Sequence, residues 1–514
     1  MVCFCFTVKA ASLPKYGGTL YLSLLTDPTS LDPLKILLPS DQELCRLLYD
    51  TLVGKDAEGN VVPHLAKSWA TSSDGKVLTF TLRKGTTFHN GQEITSHDVV
   101  YSLKRALLKG TPSKIMPLLG DVVGASEFIN NPAKDLTGIL AVGDYSVQIA
   151  LKQLNYNFLD KLTAQALAIV PANEVMEKGE DFFLAPSGSG PFQFASWERQ
   201  RRIVLNANEN YVFGRPYVDQ LDFSIIGDPG AGILKFELQE LDIYAIPSLD
   251  YQRFRNNQLW RDQIIESPEL RVFFVGINCR KAPFVNPQAR KALNYAIDRQ
   301  SIIDILLAGQ GEIAEGVLPG GVRKTIPSPK PFPYDPEFAR KLLLSSVAAD
   351  DMNRGIILWT PNDPPELVRI AERIQVNLLD LGINVFLQEK SWAEIYRGLQ
   401  PSAVNEKPHL FLLSYEALSD NALDVLTDLF ASKGASNLFN YHSEKVDELL
   451  TLAKQVTGLG ERFDMLAEVE ALVVDSAPGI FLYNTNNRII RQPKVQDLEL
   501  DLSQLKLNKL WLRQ

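Results

Sequence analysis

The sequence predicts an α/β protein that consists of two or three structural units built on mixed sheets. The chain has 514 residues, which is too long for one ordinary hydrophobic core. In its last third, short apolar strands alternate with amphipathic helices, and this alternation is typical of α/β units. Hydrophobic residues make up 45% and charged residues 22% of the chain, which is ordinary usage for a globular protein.

Strands are predicted where apolar residues recur at every second position, or form short runs between turn residues. In the clearest case, Leu78, Phe80 and Leu82 alternate with threonines. The predicted strands are Thr19–Thr26, Leu78–Leu82, Phe192–Trp197, Arg202–Asn206, Arg271–Ile277, Ile356–Trp359, Val385–Glu389 and Leu410–Leu413.

Helices are predicted from apolar stripes and from capping residues. Thr95 and Asp98 have the spacing of a capping box. Asn286 followed by Pro287 marks the start of a helix that Gly309 is expected to end. The other predicted helices are Asp41–Leu52, Thr95–Leu108, Pro365–Leu381, Ser443–Thr457 and Glu461–Asp475.

The N-terminus resembles the end of a secretory signal. Val2–Val8 is a short apolar run, and small residues suited to cleavage follow it up to Ser12. The basic segment that normally precedes such a run is missing, so the alternative is an apolar N-terminus without export function. We predict that residues 1–15 are a signal remnant and that the protein is exported. No lipidation is expected at Cys3 or Cys5, and no apolar run elsewhere predicts a membrane span.

Composition and motifs argue against several classes of protein. The net charge of −9 predicts no basic nucleic-acid surface. Cys45 and Cys279 match no metal spacing, and the sequence contains neither H-E-x-x-H nor G-x-S-x-G. The Gly188–Gly190 segment lacks the lysine of a phosphate loop. Pro191 follows it and blocks the helix start whose N–H groups would bind a phosphate. We therefore predict no catalytic residues, no cofactor and no resident metal.

A series of motifs carries a family resemblance, most densely between Val62 and Arg105. This block contains Pro63, Leu65-Ala66, Trp69, Ser73-Asp74-Gly75, Phe80, Leu82-Arg83-Lys84-Gly85, Phe88-His89-Asn90-Gly91, Asp98-Val99-Val100-Tyr101-Ser102 and Lys104-Arg105. Further motifs are Ser30-Leu31-Asp32-Pro33, Gly188-Ser189-Gly190-Pro191-Phe192, Arg290-Lys291-Ala292-Leu293, Ala296-Ile297-Asp298-Arg299, Leu381-Gly382-Ile383-Asn384-Val385 and Ala477-Pro478. With these motifs in this order, the chain resembles the family 5 extracellular solute-binding proteins, which are the oligopeptide-, dipeptide- and nickel-binding components of ABC importers.

The resemblance implies a class II fold of the periplasmic-binding-protein type, in which two lobes close on a ligand and an extra domain extends one lobe. It places lobe I at 16–50, 170–262 and 478–514, the extra domain at 51–169, and lobe II at 263–477. Most of the signature block falls in the extra domain, so His89 and Asp98 are expected to determine the fold rather than to act in catalysis.

The resemblance also implies a ligand site between the lobes. Peptide-binding relatives place an Asp shortly after a strand and an aromatic residue of lobe II. Tyr415 matches the aromatic residue, but the Asp position is Leu418, so Glu416 or Asp420 would have to supply the charge. Some relatives join this segment to an earlier strand by a disulfide. The equivalent positions are Arg271 and Glu416, which form either an ion pair or two solvated charges.

Six further residues are candidates to contact the ligand. They are Tyr244, Phe274, Trp392, Tyr396, Arg397 and Asn484. The function implied is a monomeric extracytoplasmic receptor that captures peptides or peptide-like solutes and delivers them to an ABC permease. Two alternatives remain: a receptor for a non-peptide solute such as a metal chelate or glycoside, and a secreted chaperone or adhesion-type protein without a transport role.

Overall fold

The structure is a computed structural model. It describes residues 13–36, 38–56, 59–108, 111, 115–323, 326–330, 332–347, 355–400, 407–417, 420–456, 458–501 and 504–513. Most of the predicted signal remnant, including Cys3 and Cys5, lies outside the described residues, and so does Leu418. Among the described residues, no helix combines the length and the apolar composition that a membrane crossing requires.

The chain divides into two compact units. Unit 1 comprises the described parts of Met1–Gln153, Phe158–Ile265 and Arg488–Gln514, and unit 2 comprises those of Leu154–Asn157 and Glu266–Asn487. The lobe and extra-domain boundaries implied by the resemblance remain a prediction.

Strands and helices are interspersed along the described parts of the chain. The strands are β1 (Thr19–Leu24), β2 (Val53–Lys55), β3 (Val61–Pro63), β4 (Ala66–Thr71), β5 (Val77–Leu82), β6 (Ile139–Ala141), β7 (Ser146–Ala150), β8 (Phe192–Glu198), β9 (Arg202–Ala207), β10 (Gln220–Ile225), β11 (Ile243–Ala245), β12 (Ile264–Ile277), β13 (Glu312–Ile313), β14 (Ile356–Pro361), β15 (Val385–Lys390), β16 (Leu410–Glu416), β17 (Gly479–Arg491), β18 (Val495–Gln496), β19 (Glu499–Asp501), β20 (Gln504–Lys506) and β21 (Trp511–Leu512). The helices are α1 (Pro39–Leu48), α2 (Ser96–Arg105), α3 (Ala125–Asn130), α4 (Phe158–Lys161), α5 (Ala172–Lys178), α6 (Pro229–Glu237), α7 (Tyr251–Arg255), α8 (Pro287–Ala296), α9 (Arg299–Ser301), α10 (Pro336–Ser346), α11 (Pro365–Leu379), α12 (Trp392–Leu399), α13 (Ala422–Phe430), α14 (Glu444–Ala453) and α15 (Leu459–Ser476).

Unit 1 contains two four-stranded sheets. The first has the order β1-β10-β9-β8, in which β1 and β10 are parallel, and the second is the antiparallel sheet β4-β5-β7-β6. The alternation predicted for Leu78, Phe80 and Leu82 is confirmed, since these side chains are buried in the core beside the second sheet. The predicted capping box of α2 is also present, because the Asp98 carboxylate accepts from the Thr95 N–H.

Two hydrogen-bonded clusters explain why the signature residues of unit 1 fit together. The Arg105 guanidinium donates to both carboxylate oxygens of Asp32, and both side chains are largely buried. His89 accepts from the Gly188 N–H at 3.0 Å and lies 3.0 Å from the Gly190 carbonyl. Burial lowers the pKa of His89, so the ring is a neutral structural link.

The sheet of unit 2 has the order β17-β12-β16-β14-β15, and β13 also pairs with β17. The β12–β16 pair is antiparallel, whereas β14 is parallel to both β15 and β16, so the sheet is mixed as the sequence predicts. Hydrophobic cores cover both faces of this sheet. The C-terminal end of β17 continues into unit 1, where it pairs with β11.

The single helix predicted from Pro287 to Gly309 is wrong. The helix α8 ends at Ala296, and Ile297 is extended. A new short helix, α9, then begins because the Asp298 side chain accepts from the Ser301 N–H as an N-cap. The apolar stripe was read correctly up to Ile297, but it did not reveal that Asp298 starts a second helix.

Candidate functional site

Of the two arrangements that the sequence left open for Arg271 and Glu416, the structure shows the ion pair, in the unit 2 sheet. These residues are direct partners on the antiparallel strands β12 and β16. Arg271 Nη2 donates to Glu416 Oε2 at 2.8 Å, and the two side chains are 38% and 65% exposed. Glu269 Oε2 lies 3.9 Å from Nε of the same guanidinium. Because the pair is open to solvent, it is expected to stabilise unit 2 by no more than about 1 kcal/mol.

Four aromatic rings lie in stacked pairs in this part of unit 2. The rings of Phe273 and Tyr483 stack with centroids 4.7 Å apart, and those of Trp392 and Tyr396 stack at 6.1 Å. Burial raises the pKa of Tyr396 and that of Tyr483, and the nearby guanidinium of Arg271 opposes both shifts. Arg271 and Phe273 lie two residues apart on β12, so their side chains are on the same face of the strand. We call this group of side chains the Arg271 platform; it is formed by Arg271, Glu269, Glu416, Phe273, Tyr483, Trp392 and Tyr396.

Local hydrogen bonds position the aromatic side chains of the platform. The indole of Trp392 donates to the Asp363 carbonyl at 2.8 Å, and the Tyr396 hydroxyl donates to the Ser414 carbonyl at 3.4 Å. Both rings stand on α12, whose capping residue Ser391 accepts from the Glu394 N–H. The helix thus holds Trp392 and Tyr396 one turn apart on the same face, which allows the rings to stack.

The charges of the platform are unequal, since two carboxylates lie near one guanidinium. Glu269 accepts from the Thr485 hydroxyl at 2.8 Å, while Glu416 has Arg271 as its ion-pair partner. The cluster therefore carries one more negative than positive charge, and a ligand ammonium that binds there would be neutralised by it. The exposed ring of Tyr396 offers an apolar and weakly cation-attracting surface beside these carboxylates.

Tyr415 points to the opposite face of the sheet from Glu416, as neighbouring strand residues do. Its hydroxyl donates to Asp428 Oδ2 at 3.0 Å, and burial raises its pKa. Ser436 donates to the same carboxylate at 2.7 Å. Asp420 is half-buried and follows residues 418–419, which lie outside the described residues. Tyr415 is consequently held by its own unit and is separate from the platform.

Two other predicted contact residues are packed in hydrophobic cores. The Phe274 side chain is only 3% exposed and packs against Phe439 and Phe481 in unit 2. Tyr244, in unit 1, is 9% exposed, and its hydroxyl donates to the Pro229 carbonyl at 3.1 Å. In both cases the apolar ring fills a core, which is the commoner use of a strand aromatic residue.

The two remaining candidates differ in their surroundings. Arg397 is exposed on α12. Asn484 is on β17, and its Oδ1 atom is buried without a hydrogen-bond donor from the described residues. Such an acceptor is costly unless a donor reaches it, so Asn484 is suited to receive an N–H group. The contacts of these residues with a ligand remain a prediction.

Sequence reasoning missed Phe273 and Tyr483 as members of the platform. The alternation within Arg271–Ile277 places Phe273 on the same face as Arg271, and this signal was available. The stacking partner Tyr483 comes from a strand more than two hundred residues later, which no local pattern reveals. Among the described residues, no group of three His, Cys, Asp or Glu side chains is placed to hold a metal ion.

Comparisons with known proteins agree with the architecture. A family model described as bacterial extracellular solute-binding proteins, family 5 Middle, matches residues 60–437. The oligopeptide-binding protein AppA of Bacillus subtilis is 26% identical over 504 residues, which cover 94% of this chain and 89% of AppA. Heme-binding protein A of Haemophilus influenzae is 27% identical over 453 residues, which cover 84% of this chain and 81% of that protein.

A solved structure of Bacillus subtilis AppA in complex with a nonapeptide has the same fold. It superimposes with a TM-score of 0.74 at 23% identity, and the match covers 98% of this chain and 100% of AppA. The α/β fold of the periplasmic-binding-protein type that the sequence predicted is therefore confirmed.

Proposed function

The chain belongs to the family 5 bacterial extracellular solute-binding proteins, and we propose that it captures short peptides outside the cytoplasm and delivers them to an ABC permease. The observation that carries this proposal is the family match over residues 60–437. The protein acts by binding and not by catalysis. It works as a monomer, in which the bound peptide favours the closed form through its higher affinity for that form.

The Arg271 platform supports a peptide as the ligand. A peptide brings an ammonium group, which the surplus carboxylate of the Glu269–Arg271–Glu416 cluster neutralises. It also brings backbone N–H groups, for which the buried Oδ1 of Asn484 is an available acceptor. The name of the relative AppA, an oligopeptide-binding protein, points to the same class of ligand.

The proposal is tested by titration calorimetry with matched peptides. A tetrapeptide with a free amino terminus is compared with its N-acetylated form, and haemin is included because one relative is a heme-binding protein. We expect the free peptide to bind and acetylation to weaken binding at least about tenfold, since a charge-assisted contact to an ammonium is lost.

A pair of variants locates the interaction. Glu416→Gln is expected to reduce the difference between free and acetylated peptide, whereas Glu389→Gln leaves it unchanged because Glu389 is an exposed glutamate on the edge strand β15. Equal effects of the two substitutions would remove Glu416 from the site. Binding of haemin without binding of any peptide would replace peptides by a non-peptide solute as the ligand.

A further inference from the structure

The ring of His89 joins two backbone groups of the loop that carries the Gly-Ser-Gly-Pro motif in unit 1. The Gly188 N–H donates to Nδ1 at 3.0 Å, and Nε2 lies 3.0 Å from the Gly190 carbonyl oxygen. The His89 N–H also donates to the Gly188 carbonyl at 2.7 Å. We call this arrangement the His89 clasp; it is formed by His89, Gly188 and Gly190.

The two ring contacts determine the protonation state of the imidazole. A backbone N–H can only donate, so Nδ1 carries a lone pair, and a carbonyl oxygen can only accept, so Nε2 carries the hydrogen. The neutral ring satisfies both partners. The imidazolium has a hydrogen on each nitrogen, so its Nδ1–H would face the Gly188 N–H. Gly188 is buried, and its N–H would lose this acceptor at a cost.

The charged group that acts on the ring from α5 is Glu174. Its negative charge favours the protonated ring, but it already accepts from Lys178 at 2.7 Å and from the Asn90 amide at 2.9 Å. Burial has the larger effect and lowers the pKa of His89. The environment of the ring therefore favours the neutral form that the clasp requires.

The loop is also bound to the segment that carries Asp50. The Asp50 N–H donates to the Ser189 hydroxyl at 3.2 Å, and the buried Asp50 carboxylate accepts from the Tyr211 hydroxyl at 3.1 Å. Nε2 of His64 lies 3.7 Å from the same carboxylate. A proton on His64 would add an ion pair there, so it would act in the opposite direction to a proton on His89.

The clasp connects two hydrophobic cores of unit 1. Phe88, which precedes His89, is buried in the core beside the sheet β4-β5-β7-β6. Phe192, which follows the loop, is buried in the core beside the sheet β1-β10-β9-β8. The loop also approaches the end of α1 closely, since a Cβ at Gly188 would lie 1.7 Å from the Leu48 carbonyl oxygen. Release of the loop would therefore loosen the junction between the two cores.

We propose that the His89 clasp is an acid-sensitive switch, in which protonation of Nδ1 releases the Gly188–Gly190 loop and loosens the junction between the two cores of unit 1. The ordinary pKa of a histidine is about 6.5, and that of His89 is lowered in the clasp. The clasp thus contributes its full stability above about pH 6.5 and is weakened as the pH falls below that value. This switch lies in unit 1 and does not depend on which ligand the protein binds.

The test measures hydrogen exchange of the full chain by mass spectrometry between about pH 8 and about pH 5, with correction for the intrinsic exchange rate. Protection of the peptide that contains Gly188 should fall about tenfold for each pH unit between about pH 6.5 and the lowered pKa of His89, because opening takes up one proton. The strand β5 (Val77–Leu82) is the internal control and should keep its protection over the same range.

The matched variant is His89→Gln, because an amide offers one acceptor and one donor but does not titrate in this range. It should abolish the pH dependence at Gly188. The control His97→Gln, which changes an exposed histidine on α2, should leave the dependence intact. Constant protection at Gly188 in the wild type, or an equal decrease in His89→Gln, would overturn the proposal.

A second measurement uses the wild type and keeps the proposal falsifiable if His89→Gln fails to fold. The chain has five histidines, so their ring signals can be followed by NMR with labelled histidine, and glutamine variants assign the other four. We expect the His89 ring to carry its hydrogen on Nε2 and to titrate below about pH 6.5, together with the loss of protection at Gly188. A hydrogen on Nδ1 in the neutral ring, or titration at or above pH 6.5, would contradict the switch.

Discussion

Replacing Glu470 by Gln should destabilise unit 2 far more than any exposed charge substitution. Glu470 is completely buried on α15, and its Oε1 accepts the N–H groups of Val317 and Leu318 at 2.9 and 3.2 Å. Arg323 donates to both carboxylate oxygens. Every group around this carboxylate is therefore a donor, so the amide NH₂ of a glutamine would face a donor in either orientation.

The magnitude follows from the burial of the pair. Removing one partner of a buried ion pair costs about 3–5 kcal/mol, because the other charge stays buried without compensation. For a unit of this size, each kcal/mol lowers the unfolding temperature by roughly 2–4 °C, so a decrease of about 6–20 °C is expected. The matched control is Glu416→Gln, which removes an exposed ion pair worth at most about 1 kcal/mol.

Differential scanning calorimetry measures both variants in the same buffer. A decrease for Glu470→Gln no larger than that for Glu416→Gln would refute the reasoning. The double variant Arg323→Met with Glu470→Leu provides a second check, because it removes both buried charges together. It should be more stable than Glu470→Gln.

Two other predictions concern unit 1. Gly188→Ala should lower the free energy of unfolding by more than about 3 kcal/mol, because a Cβ would lie 1.7 Å from the Leu48 carbonyl oxygen. The control is Gly460→Ala, at a helical position where a Cβ meets open space. In the same thermal melting experiment this control should be neutral or stabilising. Burial raises the pKa of Glu43 to about 6, so its contribution to stability is complete below about pH 4.5 and is lost as the pH rises through 6. Relative to the wild type, Glu43→Gln should therefore become more stable as the pH rises between these values, by up to about 2 kcal/mol. Urea titrations measure the free energy of unfolding of both proteins. A difference between the two free energies that stays constant over this pH range would contradict the assignment.

The sequence predicted those parts of the fold that depend on short-range periodicity. The strand at Leu78–Leu82 and the capping box at Thr95 were read correctly, since alternation and caps are local signals. The helix break at Ile297 was missed. An Asp inside an apolar stripe is compatible both with a continuous helix and with a new N-cap, and tertiary packing decides between them.

The candidate site was predicted less completely because it depends on long-range register. The pairing of Arg271 with Glu416 was found through the family resemblance, since it joins strands that are far apart in sequence. In the same strand, Phe274 was named although its neighbour Phe273 is the residue on the face of Arg271. A shift of one position in a strand moves a side chain to the other face of the sheet, so an alignment error of one residue is enough to choose the wrong ring.

The hydrogen-bond partners of Arg299 also could not be read from the sequence. In the structure, Asp298 accepts from the Ser301 backbone, and Arg299 turns to carbonyl groups of distant segments. Only the three-dimensional packing brings these carbonyl groups to the guanidinium.

The central claim, that this chain is a receptor for short peptides, is tested most directly by native mass spectrometry of the purified protein. The protein is then denatured, and whatever co-purified is identified. We expect a mass increment that resolves into a set of short peptides with free amino termini. A single bound non-peptide species would contradict the claim, and so would an unliganded protein that binds none of the peptides in a subsequent titration.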